Sequence, residues 1–224
     1  MLDNDDEQRL QRSEQLQSAW REGRVSEFLS SVSLPPTRFA TADWDSLDPS
    51  VQAAVMPFIK QEVNSCVLLG PTRAGKTHAA WATVFGFLLR ERMAKAVSFP
   101  SLYQTLFQAS GFGSETQRDA AETLRYYKNA PLLFIDEFGL SRVSNEGVLM
   151  GLFDLINERY NNKKRFTLFT TSKPRDIMEQ EFGDPMIGTR VFGGLQITMA
   201  NWKAVDVKRG TGGTGGIGGT AGTD

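Results

Sequence analysis

The chain has 224 residues, with 25 basic and 26 acidic side chains and a formal net charge of −1. This balance excludes a globally basic nucleic-acid-binding protein, so any nucleic-acid contact requires a local patch. A single cysteine excludes an internal disulfide framework and indicates a reducing compartment. No run approaches the ~18 apolar residues of a transmembrane helix, and the polar N-terminus is unlike a secretory signal. The sequence therefore predicts a cytoplasmic protein.

Residues 1–34 are polar, with sparse apolar positions and a poor helical period. The pair Pro35 and Pro36 follows and suggests a domain boundary. Two interpretations stay open for this segment: a loosely attached, solvated helix, or an arm that docks onto a partner. We treat residues 1–34 as an N-terminal helical arm with a docking role.

Within a predicted domain at residues 35–205, short apolar runs alternate with helical patterns from about residue 60 to 200. Such alternation implies parallel pairing and right-handed crossovers, and apolar runs without period-2 alternation suit strands buried on both faces. The predicted strands are 66–69, 96–99, 132–135, 166–170 and 195–199, and the predicted helices are 76–92, 101–110, 115–127, 146–160 and 175–182. The sequence thus predicts a three-layer α/β sandwich around a mostly parallel, five-stranded sheet.

The stretch GPTRAGKT follows the first predicted strand and precedes a predicted helix. It matches the phosphate-binding pattern G-x-x-x-x-G-K-[ST], in which backbone N–H groups and a helix N-terminus converge on an anion. An incidental glycine turn is the alternative, which the flanking strand and helix disfavour. We expect ATP on the loop formed by Gly70, Pro71, Thr72, Arg73, Ala74, Gly75, Lys76 and Thr77. His78 adjoins this loop, where packing beside the nucleotide is expected rather than chemistry.

Within this loop, the pattern gives two side chains a defined part. Lys76 is expected to contact the β- and γ-phosphates, and the Thr77 hydroxyl is expected to complete a Mg²⁺ shell.

Two acids, Asp136 and Glu137, follow the apolar run LLFI. In a parallel sheet this position lies at the carboxyl end of a strand, where ligands bind. Asp136 can hold Mg²⁺ directly or through water, and Glu137 is placed to polarise an attacking water. The alternative is a solvated acidic turn. Beside a phosphate loop, the pair predicts ATP hydrolysis rather than phosphoryl transfer to a metabolite.

Three hydroxyls, those of Thr170, Thr171 and Ser172, end the apolar run FTLF. A polar side chain there can orient the water and touch the γ-phosphate, which is the role of a sensor. We select Thr171 and Ser172 as catalytic candidates, although the sequence leaves open which of the three hydroxyls is the sensor.

The stretch GTRVFGG precedes the last predicted strand and contains Arg190. This residue is a candidate arginine finger, which would reach the γ-phosphate of a neighbouring subunit and contribute roughly 10³–10⁵ in rate. The alternative is a surface arginine at a helix end. A finger implies self-association through Arg190 and slow hydrolysis by an isolated subunit.

These four motifs, in this order and spacing, resemble the AAA+ ATPases, and within them the DnaC/IstB-like branch of helicase loaders and their transposition relatives. The resemblance covers residues 35–205 and implies the same roles for the phosphate loop, the acidic pair, the sensor and the finger. It also implies that the segment RFATADWDSL lies beside the adenine, where Phe39 would pack.

Members of this branch carry a helical insertion before the acidic strand that helps to hold single-stranded DNA, and residues 101–131 look similar to it. This segment mixes cations with aromatics, which suits phosphate contact and base stacking. Nearby acids dilute its charge. The DNA-binding candidates are Arg118, Arg125, Tyr126, Tyr127 and Lys128.

The sequence departs from the family in two places. The sensor stretch reads TTSK where relatives commonly have asparagine after the threonines. Too few residues follow Met199 to form the C-terminal helical lid of larger AAA+ proteins, so no lid domain is expected. Residues 206–224 are rich in glycine, and we expect a disordered tail there.

Together, these features predict an assembly-dependent ATPase of DNA replication that loads or remodels a replicative helicase on single-stranded DNA. An IstB-like ATPase that targets transposition, with duplex DNA and a transposase as partners, is the nearest alternative. Two other classes stay open: a P-loop kinase that acts on a metabolite, and a nucleotide-switched binding protein with negligible turnover.

Overall fold

The structure, a computed structural model, describes residues 42, 44–88, 93–111, 114–140, 143–201 and 205–209. The predicted arm at 1–34, Phe39 and residues 210–224 lie outside these described residues.

A six-stranded sheet forms the centre of the molecule. Its strands are β1 (Ser65–Leu69), β2 (Ala94–Ser98), β3 (Leu132–Asp136), β4 (Phe166–Thr171), β5 (Leu195–Met199) and β6 (Val205–Arg209). They lie in the order β2-β3-β4-β1-β5-β6, and every neighbouring pair is parallel except β5 and β6, which are antiparallel. The mostly parallel sheet is the one that the alternating pattern predicts, but it has six strands rather than the predicted five.

Helices cover both faces of this sheet. They are α1 (Pro49–Ile59), α2 (Lys76–Leu88), α3 (Phe99–Ala109), α4 (Glu115–Asn129), α5 (Glu146–Asn161), α6 (Arg175–Phe182) and α7 (Pro185–Val191). All five predicted helices are present, with ends shifted by a few residues. The described part of the chain contains no helix that is both long enough and apolar enough to span a membrane.

The strands separate two hydrophobic cores, because successive side chains of a strand point to opposite faces. In β1, Cys66 and Leu68 belong to the core under α1 and α2, whereas Val67 belongs to the core under α3, α5, α6 and α7. The three-layer α/β sandwich is therefore confirmed.

The sixth strand corrects the predicted C-terminal boundary. Residues 206–209 were expected in a disordered tail, but they belong to β6, where Val207 lies opposite Ile197 of β5. Arg209 also forms an ion pair with Glu62 at 3.7 Å. The stretch VDVKR contains two β-branched residues and no glycine, so it pairs along the open edge of β5.

Two further helices were absent from the sequence prediction. α1 begins after Asp48, whose carboxylate accepts the Ser50 backbone N–H at 3.0 Å, and it contains Pro57. Because proline is unfavourable inside a helix, Pro57 makes this segment look non-helical in the sequence. α7 has only seven residues, too few for a clear period. The described element that follows β5 is the strand β6.

Candidate nucleotide-binding site

The loops after β1, β3 and β4 meet at one edge of the sheet, since these strands are parallel neighbours. They enclose a cavity of about 430 Å³. Its lining residues are Thr72, Arg73, Gly75, Lys76, Thr77, His78, Glu137, Phe138, Leu140, Thr170, Thr171 and Ser172. The phosphate loop, the second acid and the hydroxyl run thus share one cavity, as their positions at strand ends predicted.

Glycines shape the loop between β1 and α2. A Cβ on Gly70 would lie 2.1 Å from the Met199 carbonyl oxygen, so only glycine lets the chain leave β1 beside β5. Gly75 has a φ of 88°, which glycine adopts without strain, and its carbonyl accepts the Ala79 N–H at 2.9 Å, within the first turn of α2. The sequence motif is therefore a tight turn that leads into a helix N-terminus.

The Lys76 ammonium closes this loop on itself. Its Nζ donates to the carbonyl oxygens of Gly70 and Pro71, each at 2.8 Å. Burial lowers the pKa of Lys76, and the charges of Asp136 and Glu137 oppose that shift. The cation is thus held inside the loop, at the mouth of the cavity, where an anion would meet it.

Thr77 and Asp136 fit a magnesium ion. The Thr77 hydroxyl donates to Asp136 Oδ1 at 3.1 Å across the junction of α2 and β3. Adjacent oxygens in an octahedral Mg²⁺ shell lie about 2.9 Å apart, given Mg–O distances of roughly 2.0–2.1 Å. A hydroxyl and a carboxylate are hard oxygen ligands, so these residues suit the cation that accompanies ATP.

Thr170 ties the two acids together, a role that the sequence did not reveal. This threonine is 1% exposed, and its hydroxyl accepts the Glu137 N–H at 2.9 Å and donates to Asp136 Oδ1. Glu137 has a φ of 57°, in the left-handed region that non-glycine residues occupy at a cost of order 1–3 kcal/mol. The hydroxyl helps to hold this strained turn, which keeps the Glu137 side chain exposed at the cavity.

The other two hydroxyls of the run differ in their bonding. Thr171 is 1% exposed; its hydroxyl donates to the Phe138 carbonyl oxygen at 2.8 Å and accepts the Lys173 N–H at 3.1 Å. Ser172 is exposed, and its hydroxyl has no hydrogen bond within the described residues. Of the two selected candidates, Ser172 is the one whose hydroxyl is available to a ligand.

His78 lies between the cavity and the segment that precedes α1. Its Nε2 is hydrogen-bonded to Ser46 Oγ at 2.8 Å, and its side chain lines the cavity. A role of His78 beside the nucleotide stays a prediction. Phe39, the other residue predicted there, lies outside the described part of the chain.

Arg190 does not line the cavity of its own chain. It lies near the C-terminus of α7, where its Nε donates to Asn157 Oδ1 at 3.1 Å and its guanidinium lies 4.9 Å from the centre of the Tyr160 ring. The structure thus separates Arg190 from the phosphate loop, the acids and the hydroxyls.

The five DNA-binding candidates on α4 divide into two groups. Arg118, Arg125 and Tyr126 are exposed. Tyr127 packs against the core under α3, α5, α6 and α7, where burial raises its pKa. Lys128 forms ion pairs with Asp154 and Glu158. These last two side chains therefore do not share the exposed surface of α4 with the other three.

Lys95 adds a cation to this exposed surface. It extends from β2, and its Nζ lies 5.7 Å from the centre of the Tyr126 ring. Burial lowers the pKa of Lys95. The sequence does not reveal this neighbour of Tyr126, because no local pattern connects β2 with the side chains of α4.

Arg159 on α5 is a buried residue that the sequence analysis also missed. It is 1% exposed, and burial lowers its pKa to about 9. Its guanidinium donates to the Thr167 hydroxyl, the Phe166 carbonyl oxygen and three carbonyl oxygens at the end of α4, those of Tyr127, Lys128 and Ala130. Its position in the sequence does indicate burial, since Arg159 lies on the same helical face as the apolar residues Leu152, Leu155 and Ile156.

Comparison with known proteins places this site in a family. Residues 8–199 match the family described as IstB-like ATP binding protein. An insertion-sequence ATP-binding protein of Bacillus thuringiensis subsp. berliner is 28% identical over 135 residues, which is 60% of this chain and 50% of that protein. Another from Sinorhizobium fredii is 29% identical over 131 residues, or 58% of this chain and 50% of that protein.

The chain therefore spans about half the length of these two curated relatives. The crystal structure of the DnaC helicase loader has a TM-score of 0.58 at 18% identity, over 74% of this chain and 99% of that one. At that identity the likeness concerns the fold, and it agrees with the predicted AAA+ architecture. Since the family match covers most of its length, the chain belongs to the IstB-like ATP-binding proteins.

Proposed function

We propose that this protein is a magnesium-dependent ATPase. The observation that carries the proposal is the convergence of Lys76, Thr77, Asp136 and Glu137 at one edge of the sheet. A site for binding alone needs the phosphate loop. It does not need a second acid held in a strained turn and exposed to the same cavity.

Each residue has a part in the proposed reaction. The loop N–H groups and Lys76 bind the β- and γ-phosphates, while Thr77 and Asp136 hold Mg²⁺, which neutralises charge that develops on the phosphates. Glu137 orients and polarises the attacking water, and Ser172 contacts the γ-phosphate or that water. Thr170 keeps both acids in place through its two hydrogen bonds.

The proposed active site is completed by a second subunit. Arg190 is remote from its own cavity, so the charge that it could supply to a γ-phosphate would act in a neighbouring copy. The rate of hydrolysis per subunit is then expected to rise with protein concentration. It is expected to rise further on DNA, which brings subunits together.

The proposed work of the ATPase is to control a partner protein on DNA. The family match and the insertion-sequence relatives favour the transposition role, in which the partner is a transposase on duplex DNA. The helicase-loading role, which the motifs first suggested, has support from the likeness to DnaC, a likeness of fold.

Substitution of Glu137 by glutamine tests the ATPase. The variant keeps the size and loses the negative charge, so we expect unchanged ATP affinity and a fall in phosphate release of about 10²–10⁴-fold. Lys76→Ala is the matched control, which should lose affinity as well. Phosphate release by Glu137→Gln at the wild-type rate would leave the nucleotide-switched binding protein as the better function.

The same assay separates an ATPase from a kinase. An ATPase releases inorganic phosphate stoichiometrically with ADP in the absence of any acceptor. ADP formation that requires an added nucleoside or other metabolite, without phosphate release, would favour the kinase.

Partner identity is tested by capture with the purified full chain. Beads carrying the protein are offered a hexameric replicative helicase or an insertion-sequence transposase, each with ATP and with either single-stranded or duplex DNA. Retention of the transposase on duplex DNA is expected. Selective retention of the helicase on single-stranded DNA would establish the loader role instead.

A further inference from the structure

Arg190 is surrounded by neutral groups. It is half-buried, and the contacts described for its guanidinium are the amide of Asn157 and the ring of Tyr160. No carboxylate within the described residues lies within 4.0 Å of it. Arg165, by contrast, forms an ion pair with Glu158. A phosphate that a partner supplies would therefore meet no competing ion pair at Arg190.

The two neutral contacts restrict the guanidinium and leave its functional end available. Asn157 takes the Nε, and the Tyr160 ring lies beside the planar group at 4.9 Å. Neither terminal nitrogen of Arg190 has a hydrogen bond within the described part of the chain. These two nitrogens form the planar fork that recognises a phosphate with two parallel hydrogen bonds.

Both supporting side chains are themselves held. Asn157 Oδ1 also accepts a hydrogen bond from Asn161 Nδ2 at 3.3 Å, which fixes the amide with its oxygen toward Arg190. The Tyr160 ring packs against Gly193, where a Cβ would lie 2.9 Å from the ring Cε2. The arrangement is therefore built from α5, α7 and the loop before β5.

We propose that Asn157 and Tyr160 are positioning residues, which hold the Arg190 guanidinium ready for the γ-phosphate of ATP bound to a second copy of this chain. This inference rests on the proposed ATPase function. It adds that α5, through its C-terminal turns, belongs to the surface between subunits. A finger held in advance gives its full charge stabilisation without a cost of reordering at each turnover.

The test mixes two variants that are each inactive alone. Lys76→Ala supplies an intact finger without a working phosphate loop, and Arg190→Ala supplies an intact loop without a finger. If the finger acts between subunits, their mixture regains phosphate release. If the wild type hydrolyses ATP but the mixture of the two variants regains no phosphate release, this inference is overturned and the ATPase proposal still stands.

The roles of Asn157 and Tyr160 are then tested by placing their substitutions on one of the two variant subunits at a time. Tyr160→Leu or Asn157→Ala on the Lys76→Ala subunit should lower kcat of the mixture about 10–100-fold with little change in KM for ATP. The same substitution on the Arg190→Ala subunit should have little effect, since that subunit has no finger to position. Equal losses in both placements would indicate general structural damage and overturn the proposal.

Two controls sharpen the result. Tyr160→Phe keeps the ring beside the guanidinium and should restore the activity that Tyr160→Leu loses. Lys163→Ala removes a cation just beyond the end of α5 and should leave the mixture unchanged. Loss of DNA affinity in Arg190→Ala, with kcat unaffected, would show that the fork binds a nucleic-acid phosphate and would contradict the proposal.

Discussion

At the scale of single residues, the two acids of the site depend on the hydroxyl of Thr170. This group accepts the Glu137 N–H and donates to Asp136, so one side chain connects β4 to both carboxylates. Because Glu137 is held in the left-handed region, the turn needs a bond at its own N–H to stay in place. Thr170 thus supports the acids, whereas Ser172 is exposed and lines the cavity.

Replacement of Thr170 by valine preserves the shape and removes the hydroxyl. We expect a loss of about 1–3 kcal/mol in the free energy of unfolding, since the Glu137 N–H is left unpaired. Phosphate release should also fall at least roughly 10-fold, because the acids lose their alignment. Chemical denaturation and a phosphate-release assay measure the two effects.

Thr170→Ser is the matched control, because it keeps the hydroxyl and loses only a methyl group. It should retain most of the activity. If Thr170→Val hydrolyses ATP as fast as the wild type, the hydroxyl does not hold the acids in a working position.

At the scale of elements, helix α4 presents one surface to solvent and fastens the other to the domain. Arg118, Arg125 and Tyr126 lie on the exposed surface, with Lys95 of β2 beside them. Arg159 holds the C-terminal end of α4. Its guanidinium donates hydrogen bonds to three carbonyl oxygens at that end and to two groups of β4. DNA held on α4 would therefore act on a helix that is connected to the strand bearing Thr170.

The division of α4 predicts which substitutions affect DNA. Alanine at Arg118 or Arg125 should weaken binding and reduce the slope of log K against log salt by about one, since each removes one phosphate contact. Tyr126→Ala should cost roughly 1–3 kcal/mol of binding free energy through lost stacking. Fluorescence anisotropy with labelled duplex and single-stranded DNA at several salt concentrations measures both effects, with the loss of stacking expected on single-stranded DNA.

Lys128→Ala is the control within the same helix. Its ammonium is engaged by Asp154 and Glu158, so its removal should leave DNA affinity and the salt slope nearly unchanged. Equal losses of DNA affinity for Lys128→Ala and Arg125→Ala would show that DNA binding is not confined to the exposed surface of α4.

At the scale of the whole molecule, β6 forms one edge of the sheet. We expect the stability of a truncated chain to depend on whether it keeps this strand. Truncation after Arg209 removes only the glycine-rich segment and should leave Tm unchanged. Truncation after Asn201 removes β6 and exposes the edge of β5, which we expect to cost about 2 kcal/mol or more and to lower Tm by roughly 4–8 °C. Thermal unfolding followed by circular dichroism compares the two chains, and equal Tm values would mean that β6 contributes nothing.

By itself, the sequence determined the layered architecture and the nucleotide site. The strands β1, β3 and β4 lead into the phosphate loop, the acidic pair and Ser172. They are buried, parallel and short, and parallel strands bring their carboxyl ends to one edge. The loop motif and the acidic pair are local patterns, readable within eight residues each. Their meeting in one cavity follows from the parallel pairing of neighbouring strands.

Tertiary structure alone decided the supporting contacts. Thr170 with Asp136, Arg159 with the end of α4, and Arg190 with Asn157 are pairs separated by about 30 residues along the chain. No local pattern specifies such a pair, because its geometry depends on how whole helices and strands pack. The same holds for β6, which is a strand because the edge of β5 offers unpaired hydrogen-bonding groups.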